Sequence, residues 1–390
     1  MNGSRELLLT INAEIDGCVT VTGNGGESVN FLPFHGTSQS EYFTGRIMPS
    51  AADTQKCREG VCELSARYVL EGRDCMGEDC RIFIENNGTS TEGSTKTVPK
   101  AVTDSRALSR LMTAELSGEV TGTDKGVRVD IYEWLSGFER KEHFFMLGTD
   151  TVYAELYIPD SVRGGGKCPA VILAHGYNGN ALGMRGYAER LAGRGIGVYC
   201  FDFRGGSPDS NSSGSTEQMS VSSEILDLTA AITDAKKLPW VDGERLFLAG
   251  ESQGGFVTAL TAPTLETPPA GVFLIYPAFC IPDDWRWAAE DENALRHPTD
   301  FNGMTIGRAY IDGLPRYDVY ECAAGYKGRT VIFHGDEDGV VDIEYSKRLA
   351  ERMDNAELFV FPAQGHGFSE RFKTVTACRM ADEISHISER

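Results

Sequence analysis

The chain has 390 residues, 41% of them apolar and 24% charged, and a formal net charge of −20. That length holds more than one domain with a core of its own, and the composition belongs to a folded chain. The negative far field opposes binding to nucleic acid or an anionic membrane, and no apolar run nears the roughly 18 residues of a membrane span.

The start, Met1 to Glu6, lacks a basic region followed by an apolar core, so a cytoplasmic protein with its ten cysteines reduced is expected. Four of them fall as Cys57 and Cys62, then Cys75 and Cys80, with four residues inside each pair. A metal knuckle brings its cysteines closer, as C-x-x-C, so they read as small residues near a β core and no metal is expected.

Up to about residue 135 the chain is written in short strands. Leu64, Ala66, Tyr68 and Leu70 alternate with Glu63, Ser65, Arg67 and Glu71, and Gly126 to Ile131 repeats that period of two. Glycine-rich turns separate these runs, which predicts an all-β antiparallel barrel or sandwich over 1–137, the barrel being preferred because closure removes strand edges. The polar stretch Asn86 to Lys100 reads as a loop.

The grammar changes after about residue 140. Continuous apolar runs at 170–174, 196–201, 246–249, 272–275 and 331–333 predict strands buried on both faces, and helical patterns at 187–192 and 223–237 lie between them. Alternating strand and helix over 138–390 predicts an α/β domain with a mostly parallel sheet flanked by helices.

Four short stretches carry chemistry, each where a buried strand is expected to end. Gly250-Glu251-Ser252-Gln253-Gly254 fits G-x-S-x-G. Chance alone supplies about 0.1 such matches in a chain this long, so context decides. The preceding strand and following helix force a sharp turn that would expose the Ser252 hydroxyl. Such a hydroxyl needs a base, and His366, in the loop Gln364-Gly365-His366-Gly367, is the candidate. His334 reads as structural. The acid that orients the imidazole is one of Asp336, Glu337 and Asp338; Asp338 is preferred for its reach, with Asp336 second. Oxyanion donors are expected from the backbone amides of Gln253 and of Tyr177, in His175-Gly176-Tyr177-Asn178-Gly179.

With these motifs residues 140–390 resemble the α/β-hydrolase superfamily, and Asp202-Phe203-Arg204-Gly205-Gly206-Ser207 resembles its D-x-R-G-x-G-x-S stretch with altered spacing. Within it the likeness is to bacterial cinnamoyl and feruloyl esterases, through the His-Gly-aromatic loop, the Ser-Gln-Gly-Gly elbow and an insertion carrying Gly307 to Tyr310 and Pro315 to Val319. The elbow has Glu251 where those esterases more often have histidine. The resemblance implies a lid over residues 280–325 covering an aromatic acyl group, with Gly176, Trp285 and Tyr310 as substrate contacts. Thr44 to Pro49, Ala52 to Gln55 and Ser65 to Tyr68 resemble a small bacterial β-barrel family of unknown function. That barrel is expected to pack on the hydrolase, cover part of its mouth or support a homo-oligomer.

The expected activity is a serine carboxylic ester hydrolase that needs no cofactor and takes a small-molecule ester. Two other readings compete. One is a serine peptidase of the prolyl-oligopeptidase type, although about 135 residues are too few for that family's propeller at roughly 40–50 residues per blade. The other is a binding protein on a retired hydrolase scaffold.

Overall fold

The computed structural model describes residues 4–91 and 94–388, so Met1 to Gly3, part of the stretch read for a leader, lie outside the described residues. The chain divides into two compact units between Leu135 and Ser136.

The first unit is an antiparallel β-barrel. Its strands are β1 (Ser4–Ile15), β2 (Val19–Thr22), β3 (Ser28–Gln39), β4 (Phe43–Ile47), β5 (Ala52–Arg58), β6 (Val61–Asp74), β7 (Asp79–Thr91), β8 (Ser94–Thr103), β9 (Leu116–Gly122) and β10 (Gly126–Leu135). The ring runs β1-β10-β9-β8-β7-β6 and returns through β4 and β5 to β3, which pairs back with β1. Because β2 prolongs the β1 position along β3, and β4 and β5 both bridge β3 to β6, the ten strands make eight staves. The closed ring hydrogen-bonds its own edges.

The expected alternation holds where the interior is apolar. Leu9, Ile11, Leu70, Ile82, Ile84 and Ile131 are each at most 1% exposed and fill one end, each worth about 1.5–3 kcal/mol of transfer free energy. Beyond them Arg110 donates to the buried Glu133 carboxylate at 2.7 Å.

Two expectations fail in this unit. Residues 86–100 are not a loop but the facing ends of β7 and β8, with Asn86 opposite Pro99 and Ser90 opposite Thr95 (92 and 93 lie outside the described residues). Here the inward face is itself polar, Asn86, Ser90, Thr95 and Thr97 lining a chamber in the barrel, which erases the apolar alternation by which a strand is recognised. Nor are all ten cysteines reduced. Cys57 and Cys62 are directly opposed across the β5–β6 hairpin and joined as a disulfide; the other eight, all among the described residues, form no disulfide. Pairing register, which spacing alone does not reveal, brings the two sulfurs together.

The second unit carries an eight-stranded mixed sheet. Its strands are β11 (Phe138–Leu147), β12 (Asp150–Pro159), β13 (Cys168–Ala174), β14 (Gly197–Phe201), β15 (Val241–Glu251), β16 (Gly271–Ile275), β19 (Arg329–Gly335) and β20 (Ala356–Phe361), in the order β11-β12-β14-β13-β15-β16-β19-β20. The first two run antiparallel to their neighbours and the rest are parallel. Helices α1 (Arg185–Gly193), α2 (Val221–Ala235), α3 (Ser252–Thr261), α8 (Ile343–Arg352) and α9 (Glu370–Ser388) flank it. The apolar runs of β13, β14, β15, β16 and β19 are almost wholly buried, whereas the edge strand β20 buries only Phe359 and Phe361. Between β16 and β19 the chain inserts α4 (Ile281–Asp284), α5 (Arg286–Glu290), the small hairpin β17 (Thr299–Phe301) and β18 (Met304–Ile306), α6 (Arg308–Asp312) and α7 (Val319–Ala324).

Candidate active site

The site gathers where parallel strands end. β15 stops at Glu251 and α3 begins at the next residue, so Ser252 is held at the turn with φ +50°. A non-glycine residue enters that left-handed region only when its surroundings hold it there. The surroundings are tight: a Cβ at Gly250 would lie 2.3 Å from the Gly254 carbonyl oxygen, and one at Gly254 would lie 2.3 Å from that of His175. Only glycine permits this packing of the turn against β13.

His366 Nε2 lies 2.9 Å from Ser252 Oγ, and its Nδ1 lies 2.8 Å from Asp338 Oδ2. Of the three acids weighed, Asp338 makes this contact; Asp336 instead accepts from the Ala363 amide. The Asp338 side chain is fully buried. Burial alone would raise its carboxyl, but hydrogen bonds from His334 and His366 and from the Val341 and Val340 amides outweigh that and hold it well below the usual carboxylate range. His334, buried at the end of β19, also meets the Val341 carbonyl at 2.9 Å and Ser346 Oγ at 2.7 Å. It is structural, as read, and what it supports is the Asp338 loop.

The turn after β13 lies against the serine. A Cβ at Gly176 would come 3.1 Å from Ser252 Cβ, and the Gly179 amide closes the turn on the Gly176 carbonyl. His175 is buried with Nδ1 at 2.8 Å from the Gly176 carbonyl and Nε2 accepting from the Phe203 amide; burial lowers its pKa, which keeps it a neutral brace. The Gln253 amide belongs to the first turn of α3, whose N–H groups have no carbonyl above them inside the helix. Its side chain is locked away from the cavity's chemistry. Nε2 donates to both oxygens of Glu224 at 2.9 Å, and Oε1 accepts from the Tyr310 hydroxyl at 2.8 Å. Burial raises the Glu224 carboxyl to about 8, the Gln253 hydrogen bond offsetting part of this.

A cavity of about 360 Å3 opens over Ser252 and His366. Trp285, Phe301 and Tyr310 from the insertion line it together with Tyr177 and Asn178, whereas Trp287, Tyr317 and Tyr320 do not. The insertion is tied to the turn after β13: the Tyr177 hydroxyl donates to the Phe301 carbonyl at 2.9 Å and Asn178 Nδ2 to the Asn302 carbonyl at 3.2 Å. Trp285 meets the edges of Phe301 and Tyr310 at ring separations of 4.8 and 5.4 Å. Trp285 and Tyr310 thus reach the expected cavity; Gly176 lies beside Ser252 and outside its lining.

Residues 166–299 match the family described as serine aminopeptidase, S33, and residues 4–132 match a family described as protein of unknown function, DUF3237. The second unit has the α/β-hydrolase fold. Its fold is that of Est1E from Butyrivibrio proteoclasticus, solved with ferulic acid bound, at a TM-score of 0.56 and 22% identity over 62% of this chain and 99% of that one. The α/β-hydrolase GrgF from Penicillium sp. sh18 aligns at a TM-score of 0.53 and 18% identity, over 65% of this chain and all of its own. Among curated relatives, RutD of Caulobacter sp. (strain K31), named as a carbamate hydrolase, is 32% identical over 104 residues, 26% of this chain and 37% of its own length. A protein of Metarhizium robertsii named as dipeptidyl-aminopeptidase B is 29% identical over 153 residues, 37% of this chain and 16% of its own. The chain therefore matches well under half the length of either relative.

Sequence reasoning gave no role to three residues around this site, Glu251 having been noted only as a departure in the elbow. Tyr276, just past β16, has its ring 4.7 Å from that of His366 and donates its hydroxyl to Glu251 Oε2 at 2.9 Å. Burial raises the Glu251 carboxyl, and that hydrogen bond offsets part of the effect. Glu224 is the third. Each lies in an ordinary apolar run or helix, and only its tertiary partner marks it out; for Glu251 the one signal was its place beside Ser252.

Proposed function

We propose that the protein is a serine carboxylic ester hydrolase working through an acyl-enzyme. The observation that carries this is the unbroken chain Ser252 Oγ to His366 Nε2, and His366 Nδ1 to Asp338, at 2.9 and 2.8 Å. Ser252 attacks the ester carbonyl while His366 takes its proton, and the charge that develops on the carbonyl oxygen is met by the Tyr177 and Gln253 amides. Collapse expels the alcohol, which leaves with the proton from His366. Water then attacks the acyl-enzyme with His366 again as base, releasing the carboxylic acid and restoring Ser252. Asp338 holds the ring and offsets the positive charge it gains.

The acyl group is proposed to be apolar or aromatic, of the cinnamoyl or feruloyl kind. Support comes from the aromatic wall of Trp285, Phe301 and Tyr310 and from the fold shared with Est1E. Rates on acetyl, butyryl and feruloyl esters test this: the feruloyl ester should have the highest kcat/KM, and a clear preference for acetyl would sink the acyl assignment. Labelling by a fluorophosphonate tests the nucleophile, and an unmodified Ser252 in folded protein would leave a binding scaffold as the better reading.

One observation favours a second reading, an aminopeptidase. The Asp284 carboxylate lines the same cavity, where it could take a substrate ammonium group, and the family match carries that description. Faster turnover of a prolyl anilide than of an aryl ester would establish it over the esterase.

A further inference from the structure

We propose that the barrel is a binding module whose chamber takes up a small uncharged molecule with an apolar body and hydroxyl groups. The chamber encloses about 240 Å3, below the roughly 300 Å3 at which drug-sized ligand pockets begin, so its occupant is small. Its lining residues Ala66 and Asn86 lie further along β6 and β7 than the buried pair Leu70 and Ile82. Ile11, Ala13, Phe34, Leu64 and Val129 give it apolar walls.

Among the described residues, four that line this chamber each carry a buried side-chain atom with no hydrogen-bond partner: Asp53 Oδ1, Tyr68 Oη, Asn86 Oδ1 and Thr97 Oγ1. Tyr68, Asn86 and Thr97 are only 5%, 4% and 5% exposed. Buried polar groups in folded proteins are nearly always paired, so a cluster of orphans in one cavity marks where partners enter from outside the chain. Strand register explains the clustering. Asp53 on β5 and Asn86 on β7 both pair with Ala66 on β6, so two acceptor oxygens stand on either side of a methyl group that leaves space between them.

The atom types select the ligand. Asp53 Oδ1 and Asn86 Oδ1 accept and require donors, whereas the Tyr68 and Thr97 hydroxyls can donate or accept. A hydroxylated molecule meets both needs. Among the described residues no lysine, arginine or histidine lines the chamber, so a carboxylate or phosphate would find no countercharge there and would face Asp53. The acid product of the proposed esterase reaction is thereby excluded. The other Asp53 oxygen already accepts from Gln55 Nε2 at 2.8 Å, which leaves one oxygen for the ligand. Gln55, Leu64 and Ser90, nearer the rim, are half-buried rather than buried, which gives a route in from solvent.

The test is a fluorescence titration of the full chain with 2-naphthol, against 2-naphthoate and naphthalene. Saturable binding of 2-naphthol is expected, at least tenfold tighter than either comparison compound. Ala66→Phe, which fills the chamber, should abolish it. Asp53→Asn, which keeps the side-chain shape, should weaken it at least threefold. Both variants should hydrolyse an aryl ester within twofold of wild type. No saturable binding up to about 1 mM, undiminished binding in a folded Ala66→Phe, or a preference for 2-naphthoate would each overturn the proposal and leave water as the partner of these atoms.

Discussion

Tyr310 in the insertion donates its phenolic hydrogen to the side-chain oxygen of Gln253, the residue after Ser252, at 2.8 Å. Both residues are buried, so this bond couples the segment over the cavity to the turn that carries the nucleophile. Tyr310→Phe leaves the Gln253 oxygen without its donor, a cost of about 1–3 kcal/mol. A lower melting temperature and a several-fold lower kcat are expected. Wild-type values for both would mean the bond positions nothing.

On the other side of Gln253, the Glu224 carboxyl is raised by burial to about 8. A raised folded-state pKa means stability is fully present below the unfolded value near 4.3 and is lost as pH rises through about 8. Glu224→Gln removes that ionisation. Its melting temperature should therefore change less than that of wild type between pH 5 and 9, the gap widening toward alkaline pH. Parallel curves would show that Glu224 titrates without penalty.

Asp338 shifts the opposite way. Its stabilising bonds to His366, His334 and the two amides are present above the ordinary carboxylate range and drain as pH falls through its lowered folded value. It remains ionised across any practical assay, so protonation of Asp338 should leave no mark on the pH profile of kcat/KM. A limb that disappears in Asp338→Asn would show that Asp338 itself titrates there. Asp338→Asn should lower kcat by the order of 10^3 to 10^4 with KM little changed, as in triads where the orienting acid is replaced.

Ser252→Ala should abolish ester turnover and fluorophosphonate labelling while the fold persists. Ser252→Gly should be equally inactive yet more stable than the alanine variant by about 1 kcal/mol, because glycine adopts φ +50° without strain. Thermal melts of the two variants decide it; equal stability would show that the turn stores no strain.

Trp285 meets two other rings over the cavity. Trp285→Ala should raise KM for a feruloyl ester at least tenfold and for an acetyl ester by less than threefold. An equal rise for both would make Trp285 packing for the insertion rather than an acyl contact.

Much of this molecule was legible in the chain. The strand runs at 170–174, 246–249 and 331–333 stand out because a parallel strand covered on both faces tolerates little else than apolar residues. The turn at Ser252 was legible from Gly250 and Gly254, whose missing side chains are a direct steric requirement of the elbow. The polar strands at 86–100 were not, because a strand lining a polar chamber loses the contrast between its faces. The antiparallel start of the second sheet, β11 and β12, was likewise hidden: β11 is mostly exposed, and β12, though buried from Val152 to Tyr157, has its apolar run broken by Glu155.

By itself the amino-acid order determined the buried parallel strands, the helices between them and which side chains end up at the tips of β13, β15, β19 and β20, since local sterics and apolar periodicity act within a few residues. Choosing Asp338 over Asp336, seating His334 and Tyr276 around the imidazole, uniting Cys57 with Cys62 and grouping four unpaired polar atoms inside the barrel were decided only by tertiary structure. Those relationships depend on strand register and loop path, which bring together residues as far apart as 252 and 366 and leave no short-range trace in the chain.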